Sequence, residues 1–393
     1  MIGTPSLKGV TCIDDLRTLA RRRVPRAYFQ YADNGSYSQS TLRANRDGLE
    51  SVKLQQRVGI DVSVRDQSIA IIGEHAALPM VLAPIGACGL NVGDGEILAC
   101  RAAHAAGIQF CLGTMSICSI EDLAAAVPQP FWFQLYMMRD RGFVTEMIER
   151  VKAARCSALV VTLDLAVLAQ RHCDIKNVMT VPPRVTPRNA LSFASRPAWA
   201  MSLLRTRRRG HGNLDGHIPG TEGITTVAQW VSTQFDPSLS WSDIEWIRSI
   251  WPGKIILKGI TDVADARTAA GLGAAAIVVS NHGGRQLDGA ASTISALPAI
   301  VNAVGSETEV MFDGGIRSGH DMLKALALGA RSCMIGRAFV YGLGAAGQAG
   351  VARAIEILRK ELDVAMALTG ICSLAEAGPQ IIAASAERGI WAR

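Results

Sequence analysis

Ionisable side chains stand directly after short apolar runs at several points of the chain. Ser280-Asn281-His282-Gly283-Gly284-Arg285 places a histidine and an arginine three residues apart on a glycine-rich loop. Imidazole can take or release a proton near neutral pH, and a guanidinium fork matches a carboxylate. Asp164 ends another apolar run and Arg171 follows it. Together these residues suit a general base beside a carboxylate clamp, although a salt-bridge network closing a barrel mouth would use the same types. Lys258, also at the end of an apolar run, leaves three readings open: a Schiff-base lysine, a structural ion pair, or a charge facing a cofactor. Asp313-Gly314-Gly315-Ile316-Arg317 and Gly336-Arg337 have the makings of a phosphate site. There, glycines bring backbone N–H groups close to an anion, a following helix adds its dipole, and two arginines add paired donors.

The elements that must carry these residues are eight β-rich runs: Met80–Pro84, Phe110–Gly113, Phe131–Tyr136, Ala158–Asp164, Ile255–Gly259, Ala275–Asn281, Glu309–Gly315 and Ser332–Arg337. Apolar throughout, they suit parallel strands buried on both faces. Helical patterns lie between them at Gly95–Ala106, Ile120–Val127, Gly142–Arg155, Asp243–Trp251, Val263–Leu272, Ile294–Val304 and His320–Leu328, with Ser119, Ser242 and Ser318 as expected caps. Eight strand–helix units predict an α/β fold, a closed (β/α)8 TIM barrel over about residues 76–345, within one domain spanning 1–393. Chemistry in such barrels gathers at the C-terminal strand ends, and phosphate sits after strands seven and eight, where both glycine–arginine motifs fall. The other strand ends supply Pro84, Ile85 and Gly86, then Gln134 and Tyr136, then Thr162 and Asp164. An N-terminal helical extension is expected from Asp14 to Ala32. The connection after strand four is far longer than the rest and predicts an inserted segment over about 175–235.

Composition bounds the rest. With 49 % hydrophobic and 19 % charged residues in 393, a large core is available and disorder is not expected. No apolar run is long enough to span a bilayer, and Met1–Leu16 lacks a signal-peptide core. Nine scattered cysteines without a CxxC indicate neither a disulfide framework nor a metal site, and a cytoplasmic setting is expected. The net charge of +6 is concentrated: seven arginines and no acids lie between Val181 and Gly210. No recognition motif accompanies them, so nucleic acid is not an expected partner. The same stretch contains an apolar run, Pro197–Leu204, with Trp199. Arginines beside an interfacial tryptophan suit a peripheral seat on an anionic membrane surface.

SNHGGRQLD (Ser280–Asp288), DGGIRSG (Asp313–Gly319), IGRAF (Ile335–Phe339), FQLY (Phe133–Tyr136) and DIKN (Asp174–Asn177) together resemble the FMN-dependent L-2-hydroxy acid oxidase and dehydrogenase family, over about Leu16–Leu374. WFQLYMMRDRGF (Trp132–Phe143), NGSYSQSTLRAN (Asn34–Asn45) and GRAFVYGLGAAGQAGV (Gly336–Val351) place the strongest resemblance with its bacterial respiratory L-lactate dehydrogenase branch. The resemblance implies FMN as cofactor and oxidation of a small L-2-hydroxy acid, L-lactate favoured, to the 2-oxo acid. Electrons would pass to a quinone or a cytochrome; the alternative is an O2-using oxidase releasing hydrogen peroxide. It also implies a homotetramer. His282 would be the base and Asp164 its orienting partner. Arg171 and Arg285 would clamp the substrate carboxylate, with hydroxyl contacts from Tyr31 and Tyr136. Lys258 would stand at the flavin N1–C2 carbonyl edge. Pro84, Ile85, Gly86, Gln134, Thr162 and Ser280 would contact the flavin ring or ribityl chain. Asp313, Gly314, Gly315, Arg317, Gly336 and Arg337 would hold ribityl and phosphate. The chain departs from the family in two places. Gly113 stands where a flavin-contacting serine is usual, with Thr114 beside it as an expected substitute. The loop after Asp164 lacks the usual proline. Gly86, with Met115 and Leu168, is expected to border the substrate side chain and leave room there.

Overall fold

The structure, a computed structural model, describes residues 6–177, 189–217 and 234–384. Arg184 and Arg188, and with them the start of the arginine-rich stretch, lie outside the described residues. Eight parallel strands close into a barrel in chain order: β1 Met80–Leu82, β2 Gln109–Gly113, β3 Trp132–Tyr136, β4 Ala158–Thr162, β5 Lys254–Ile260, β6 Ala276–Val279, β7 Glu309–Asp313 and β8 Ser332–Ile335. The ring shuts between β8 and β1, where Cys333, Met334 and Ile335 lie opposite Met80, Val81 and Leu82. Several strands stop one or two residues short of the apolar runs that predict them. Pro84 has no N–H to give the ladder, and Gly314 and Gly315 turn away at φ +131° and +83°. The residues that leave the ladder form the C-terminal rim.

Alternation along each strand separates two cores. Val81, Trp132, Val160, Ile256, Val278, Met311 and Met334 fill the barrel interior, and small residues such as Ala158 and Ala276 leave room for the indole of Trp132. Their strand neighbours, among them Leu82, Phe133, Leu159, Leu257 and Ile277, face the surrounding helices. A short hairpin, Ile69–Ile71 with Glu74–Ala76, adds Ile71, Ile72 and Ala76 to the interior cluster from the N-terminal side. Its three-residue strands are too short to show alternation, so the sequence did not announce it. Trp132→Ala would empty the largest interior side chain and cost about 3–5 kcal/mol.

The seven helices between strands sit where periodicity places them. Ser119 and Ser318 cap theirs by accepting the backbone N–H of Asp122 and Asp321. Ser242 does not cap its helix; the helix spans Trp241–Ile250 and Ser240 occupies the cap. The Asp243 carboxylate accepts the Ser240 N–H at 2.8 Å, a spacing that Ser242 cannot match from inside the first turn. The N-terminal extension is two helices, Ile13–Arg23 and Arg26–Asp33, rather than one, because Val24 is extended before Pro25. A third helix, Ser40–Ser51, follows unforeseen. The last helical stretch, Arg337–Thr369, breaks at Ala346-Gly347 and folds back on itself. Gly342 and Gly350 meet at the crossing, where a Cβ on Gly342 would lie 2.7 Å from the Gly350 carbonyl carbon. This stretch packs on Ile13–Arg23, and Arg353 donates to the Val10 carbonyl.

Candidate active site

One deep cavity opens at the C-terminal rim, and residues from widely separated parts of the chain line it. Tyr31, Pro84, Ile85, Gly86, Gln134, Tyr136, Thr162, Arg171, Lys258, His282, Arg285, Asp313, Gly314, Gly315, Arg317, Gly336 and Arg337 all border it. Asp164 and Ser280 stand behind the wall rather than in it. The histidine loop leaves β6 in a left-handed conformation, with φ +57° at His282, +66° at Gly283 and +72° at Gly284. Gly284 is forced to be glycine, since a Cβ there would lie 2.5 Å from the Leu42 nitrogen. A left-handed histidine costs about 1–2 kcal/mol. It is held by its own N–H on Ser280 Oγ at 3.1 Å and by its ring on Asp164.

His282 Nδ1 lies 2.9 Å from Asp164 Oδ1. A carboxylate accepts only, so Nδ1 carries a proton, and in the neutral ring Nε2 holds the lone pair. On the other side of Ser280, Lys258 Nζ donates to Ser280 Oγ at 2.8 Å and to Asp313 Oδ2 at 2.7 Å, while Ser280 Oγ donates to Asp313 Oδ2 at 2.7 Å. Burial works against the Lys258 charge, but Asp313 and Asp164 more than offset it and hold its pKa above the usual ammonium value. Burial likewise opposes the Asp313 charge, and Lys258 overrides it, leaving the carboxyl below its usual range. Lys258 is therefore a charged ion-pair lysine, and the Schiff-base reading, which needs a depressed pKa, finds no support here.

Four arginines surround the cavity with few acids to balance them. Arg171 pairs with Asp174 at 2.7 Å. Arg285 donates to the carbonyls of Tyr31 and Asn34. Their guanidinium carbons lie 5.5 and 4.8 Å from the centre of the Tyr31 ring. Burial and then the neighbouring Arg171 push the Arg285 pKa down, the signature of a positive site short of an anion. Arg317 lies 5.4 Å over the Tyr341 ring. Arg337 spends three donors on the carbonyls of Ala32, Gly283 and Asn34, so it clasps the N-terminal extension to the histidine loop as well as bordering the cavity. Burial, and the nearby Asp164 charge next, push the Tyr136 phenol up.

Several site residues were not read from the sequence. His211 and Phe235, both from the long β4–β5 connection, border the cavity; Phe235 packs edge-on against Tyr136 at 5.3 Å. Gln286, the residue after Arg285, donates to the carbonyls of Asp164 and Val167, each at 2.9 Å, and so shapes the proline-free loop that leads to Arg171. Its place in SNHGGRQLD was visible, its target was not. Thr114 does not replace a hydroxyl at Gly113: it is buried, donates to the Gln134 carbonyl at 2.7 Å and accepts the Tyr136 N–H at 3.1 Å. Gly86 provides close packing more than room, since a Cβ there would come within 3.1 Å of Met115 Cβ. In the arginine-rich stretch, Trp199 is buried, stacks on Tyr28 and Phe193, and donates to the Leu90 carbonyl at 2.8 Å, so it is no interfacial anchor. Arg208 pairs with Asp94 and Asp122, and Arg209 donates to the Leu203 and Thr206 carbonyls. Arg205, Arg207, Leu191 and Leu204 remain exposed.

The cavity suits a flat, phosphate-bearing cofactor. Gln134 is buried with no partner for its Nε2 among the described residues, a donor left for a bound carbonyl. At Gly336 a Cβ would meet only the tip of Ile85 at 3.5 Å, which leaves the backbone approachable from the cavity. The positive-φ glycines 314 and 315 precede a capped helix, Gly319–Ala327, whose N-terminus adds a further anion-attracting end.

Comparison with known proteins points to the same kind of cofactor. The family described as FMN-dependent dehydrogenase matches residues 20–384. An L-lactate dehydrogenase of Caulobacter vibrioides is 44 % identical over 378 residues, covering 95 % of this chain and 98 % of that protein. An L-lactate dehydrogenase of Actinobacillus pleuropneumoniae serotype 5b is 46 % identical over 361 residues, covering 92 % and 94 %. Among solved structures, a monotopic membrane (S)-mandelate dehydrogenase superposes with a TM-score of 0.91 at 31 % identity, covering 96 % of this chain and all of that one. A mandelate oxidase superposes with a TM-score of 0.83 at 36 % identity, covering 95 % and 98 %. The chain belongs to the FMN-dependent dehydrogenase family, and FMN is its cofactor.

Proposed function

We propose that this FMN-dependent dehydrogenase oxidises a small L-2-hydroxy acid, L-lactate favoured, to the 2-oxo acid and passes the electrons to a quinone or a cytochrome. The observation that carries the reading is the His282–Asp164 contact at 2.9 Å, opening onto the same cavity as Arg171 and Arg285. The two guanidinium groups receive the substrate carboxylate, whose charge answers the unpaired burial of Arg285, Arg171 being already paired with Asp174. Tyr31 and Tyr136, lining the same cavity, add hydroxyl contacts that orient the substrate. With its carboxylate held, the substrate's reacting carbon faces His282, and Nε2 takes the proton. Asp164 keeps the ring in that tautomer and stabilises the imidazolium that results. Lys258, Gln134, Thr162, Pro84, Ile85 and Gly86 line the place of the flavin ring and upper ribityl chain, with Ser280 and Asp313 holding Lys258 in place. Asp313, Gly314, Gly315, Arg317, Gly336 and Arg337 surround the lower chain and phosphate. Bound FMN supplies a two-electron acceptor beside the substrate, and a buried ammonium at Lys258 stabilises negative charge there. Anaerobic mixing with L-lactate should bleach the flavin absorbance, and quinone analogues should restore it faster than O2. A flavin left oxidised by every 2-hydroxy acid would sink this reading. Fast reoxidation by O2 with stoichiometric peroxide would favour the oxidase alternative.

The same proposal extends to location. The surface around Pro197–Arg205 carries exposed Leu191 and Leu204 beside exposed Arg205 and Arg207. It packs on the connection after β1, where the Gly93 N–H donates to Ser202 Oγ at 3.2 Å. A monotopic membrane protein is among the structural neighbours. These features support a cytoplasmic enzyme seated peripherally on an anionic inner membrane face, each arginine contributing about 1 kcal/mol near the surface; among the described residues no helix is long and apolar enough to cross a membrane. Neutralising Arg205 and Arg207 together, and leaving the structural Arg208 and Arg209 intact, should weaken co-sedimentation with anionic vesicles at low salt. Unchanged sedimentation would remove this surface as the seat. The assembly expected of the enzyme is a homotetramer, which light scattering checks.

A further inference from the structure

The Gly86 side of the cavity holds one ionisable group that the proposed chemistry does not use. His211 arrives from the far part of the β4–β5 connection and borders the cavity with Gly86, Met115, Leu168 and Phe235. The short run it belongs to is fastened to the loop after β2. His211 Nδ1 lies 2.9 Å from the Met115 carbonyl oxygen. Gly212 donates its N–H to the Ile117 carbonyl at 3.1 Å, and a Cβ on it would come within 2.8 Å of that oxygen, so a side chain does not fit. Asn213 is fully buried; it donates to the Gly113 and Thr114 carbonyls and to Ser116 Oγ, and accepts the Ile120 N–H at 2.9 Å. The imidazole is thus placed by a built structure rather than by chance contact. A carbonyl only accepts, so the proton resides on Nδ1 and Nε2 is left as an acceptor. Burial pushes the imidazole pKa down to about 4, which keeps the ring neutral at physiological pH.

We propose that His211 selects the substrate side chain, its Nε2 accepting a hydrogen bond from a hydroxyl on the first or second side-chain carbon, so that hydroxylated L-2-hydroxy acids are substrates of this site alongside L-lactate. The inference rests on the function proposed above. Gly86, Met115, Leu168 and Phe235 offer no polar side-chain group to a substrate hydroxyl, and the Tyr31 hydroxyl that also borders Gly86 is engaged by the shared part of the substrate in the reading above, which leaves His211 as the acceptor for a side-chain hydroxyl. An unpaired buried polar group costs more than a paired one gains, which is why a single acceptor can discriminate strongly between isosteres.

Two isosteric pairs test it: L-glycerate against L-2-hydroxybutanoate, and L-2,4-dihydroxybutanoate against L-2-hydroxypentanoate. In the wild type, the hydroxylated member of at least one pair should have the higher kcat/KM. His211→Asn keeps an amide N–H for the Met115 carbonyl and places nothing at Nε2. In it the ratio for that pair should fall about tenfold, the size of one hydrogen bond, while L-lactate turnover stays within about threefold and FMN remains bound. Ratios favouring the apolar member in both wild-type pairs, or ratios unchanged in His211→Asn, overturn the proposal. Dissociation constants for hydroxypyruvate against 2-oxobutanoate and for 4-hydroxy-2-oxobutanoate against 2-oxopentanoate, read from perturbation of the flavin spectrum, give the same two comparisons without turnover. Tighter binding of the hydroxylated member of either pair in the wild type supports His211 even if the Asn variant fails to hold flavin; tighter or equal binding of the apolar member in both pairs refutes it. A protein that oxidises no 2-hydroxy acid fails the functional reading, yet its 2-oxo acid ratio still judges His211.

Discussion

The two walls of the cavity are built differently. One is made of strand ends: Lys258 near the end of β5, Asp313 at the end of β7 with Gly314 and Gly315 after it, and Gly336 after β8, with Lys258 and Asp313 tied to each other and to Ser280 after the intervening β6. The other is made of loops: Tyr31 from the N-terminal extension, Met115 after β2, Leu168, His211 and Phe235 from the long β4–β5 connection. A strand end is fixed by its ladder, so changing a charge there breaks a network. A loop is fixed by its own clamps, such as Gln286 and Asn213, so its residues can change one at a time with smaller effect. The strand-end wall suits a task common to all substrates, and the loop wall suits choosing among them.

That contrast predicts graded effects. The histidine loop, which joins the two walls, should show the largest: His282→Gln should slow flavin reduction by about 10²–10⁴-fold with FMN still bound, measured by anaerobic stopped flow. A near-normal rate would detach His282 from the chemistry. Next comes the strand-end network. Lys258→Met leaves Asp313 buried and uncompensated, which should cost about 3–5 kcal/mol of stability and much of the FMN, read by thermal unfolding and flavin content. The pH dependence has a defined sign. The Asp313 pKa is depressed in the fold, so its contribution is present above the unfolded value near about 4 and is lost as pH falls through the folded value. The acid limb of the stability curve should therefore be shallower in Lys258→Met.

Outside the His282 base and the strand-end charges the changes should be smaller: at Arg285 chiefly in binding, and at Gly113, the uncharged end of β2, in the flavin potential. Arg285→Lys keeps a charge but not the planar fork, and KM for L-lactate should rise about tenfold to a hundredfold with a smaller change in kcat. An equal loss in both would mean that Arg285 acts mainly in the transition state. The smallest effect belongs to Gly113→Ser. A Cβ there would lie 3.3 Å from Gln134 Oε1, so a serine fits with a slight adjustment. One added neutral hydrogen bond, about 1 kcal/mol, corresponds to roughly 20 mV in a two-electron potential. Spectroelectrochemistry would detect a shift of that size, and none would mean that the missing hydroxyl has no bearing on the flavin.

The same division explains what the sequence made legible. Strand ends are read easily, because apolar runs end abruptly in glycine or charge, and Asp313, Lys258 and His282 lie where that pattern puts them. Loop residues carry no periodicity. His211 and Phe235 are separated from the barrel by a long connection, and only tertiary contacts reveal that they reach the cavity. Trp199 shows the opposite error. A tryptophan among arginines has the composition of a membrane anchor, yet Tyr28 and Phe193 offered it a buried stack that composition does not encode. The Val24-Pro25 break was visible in the residues themselves, where proline removes a donor and constrains the residue before it, but the apolar pattern on either side masked it.

The contact between the first and last helices has a consequence for how the protein is made. Ile13–Arg23 rests against the refolded Arg337–Thr369 stretch, and Arg337 holds the carbonyls of Ala32 and Asn34 beside Tyr31. The extension that delivers Tyr31 leaves the ribosome before the barrel does, but its seat is synthesised more than 300 residues later. The barrel strands can pair as they emerge, whereas the Tyr31 side of the cavity waits for the final helices. Chains released early would carry a nearly complete barrel with an open mouth. Synthesis of Arg337–Thr369 thus acts as a checkpoint, closing the site only on a chain that already carries that stretch.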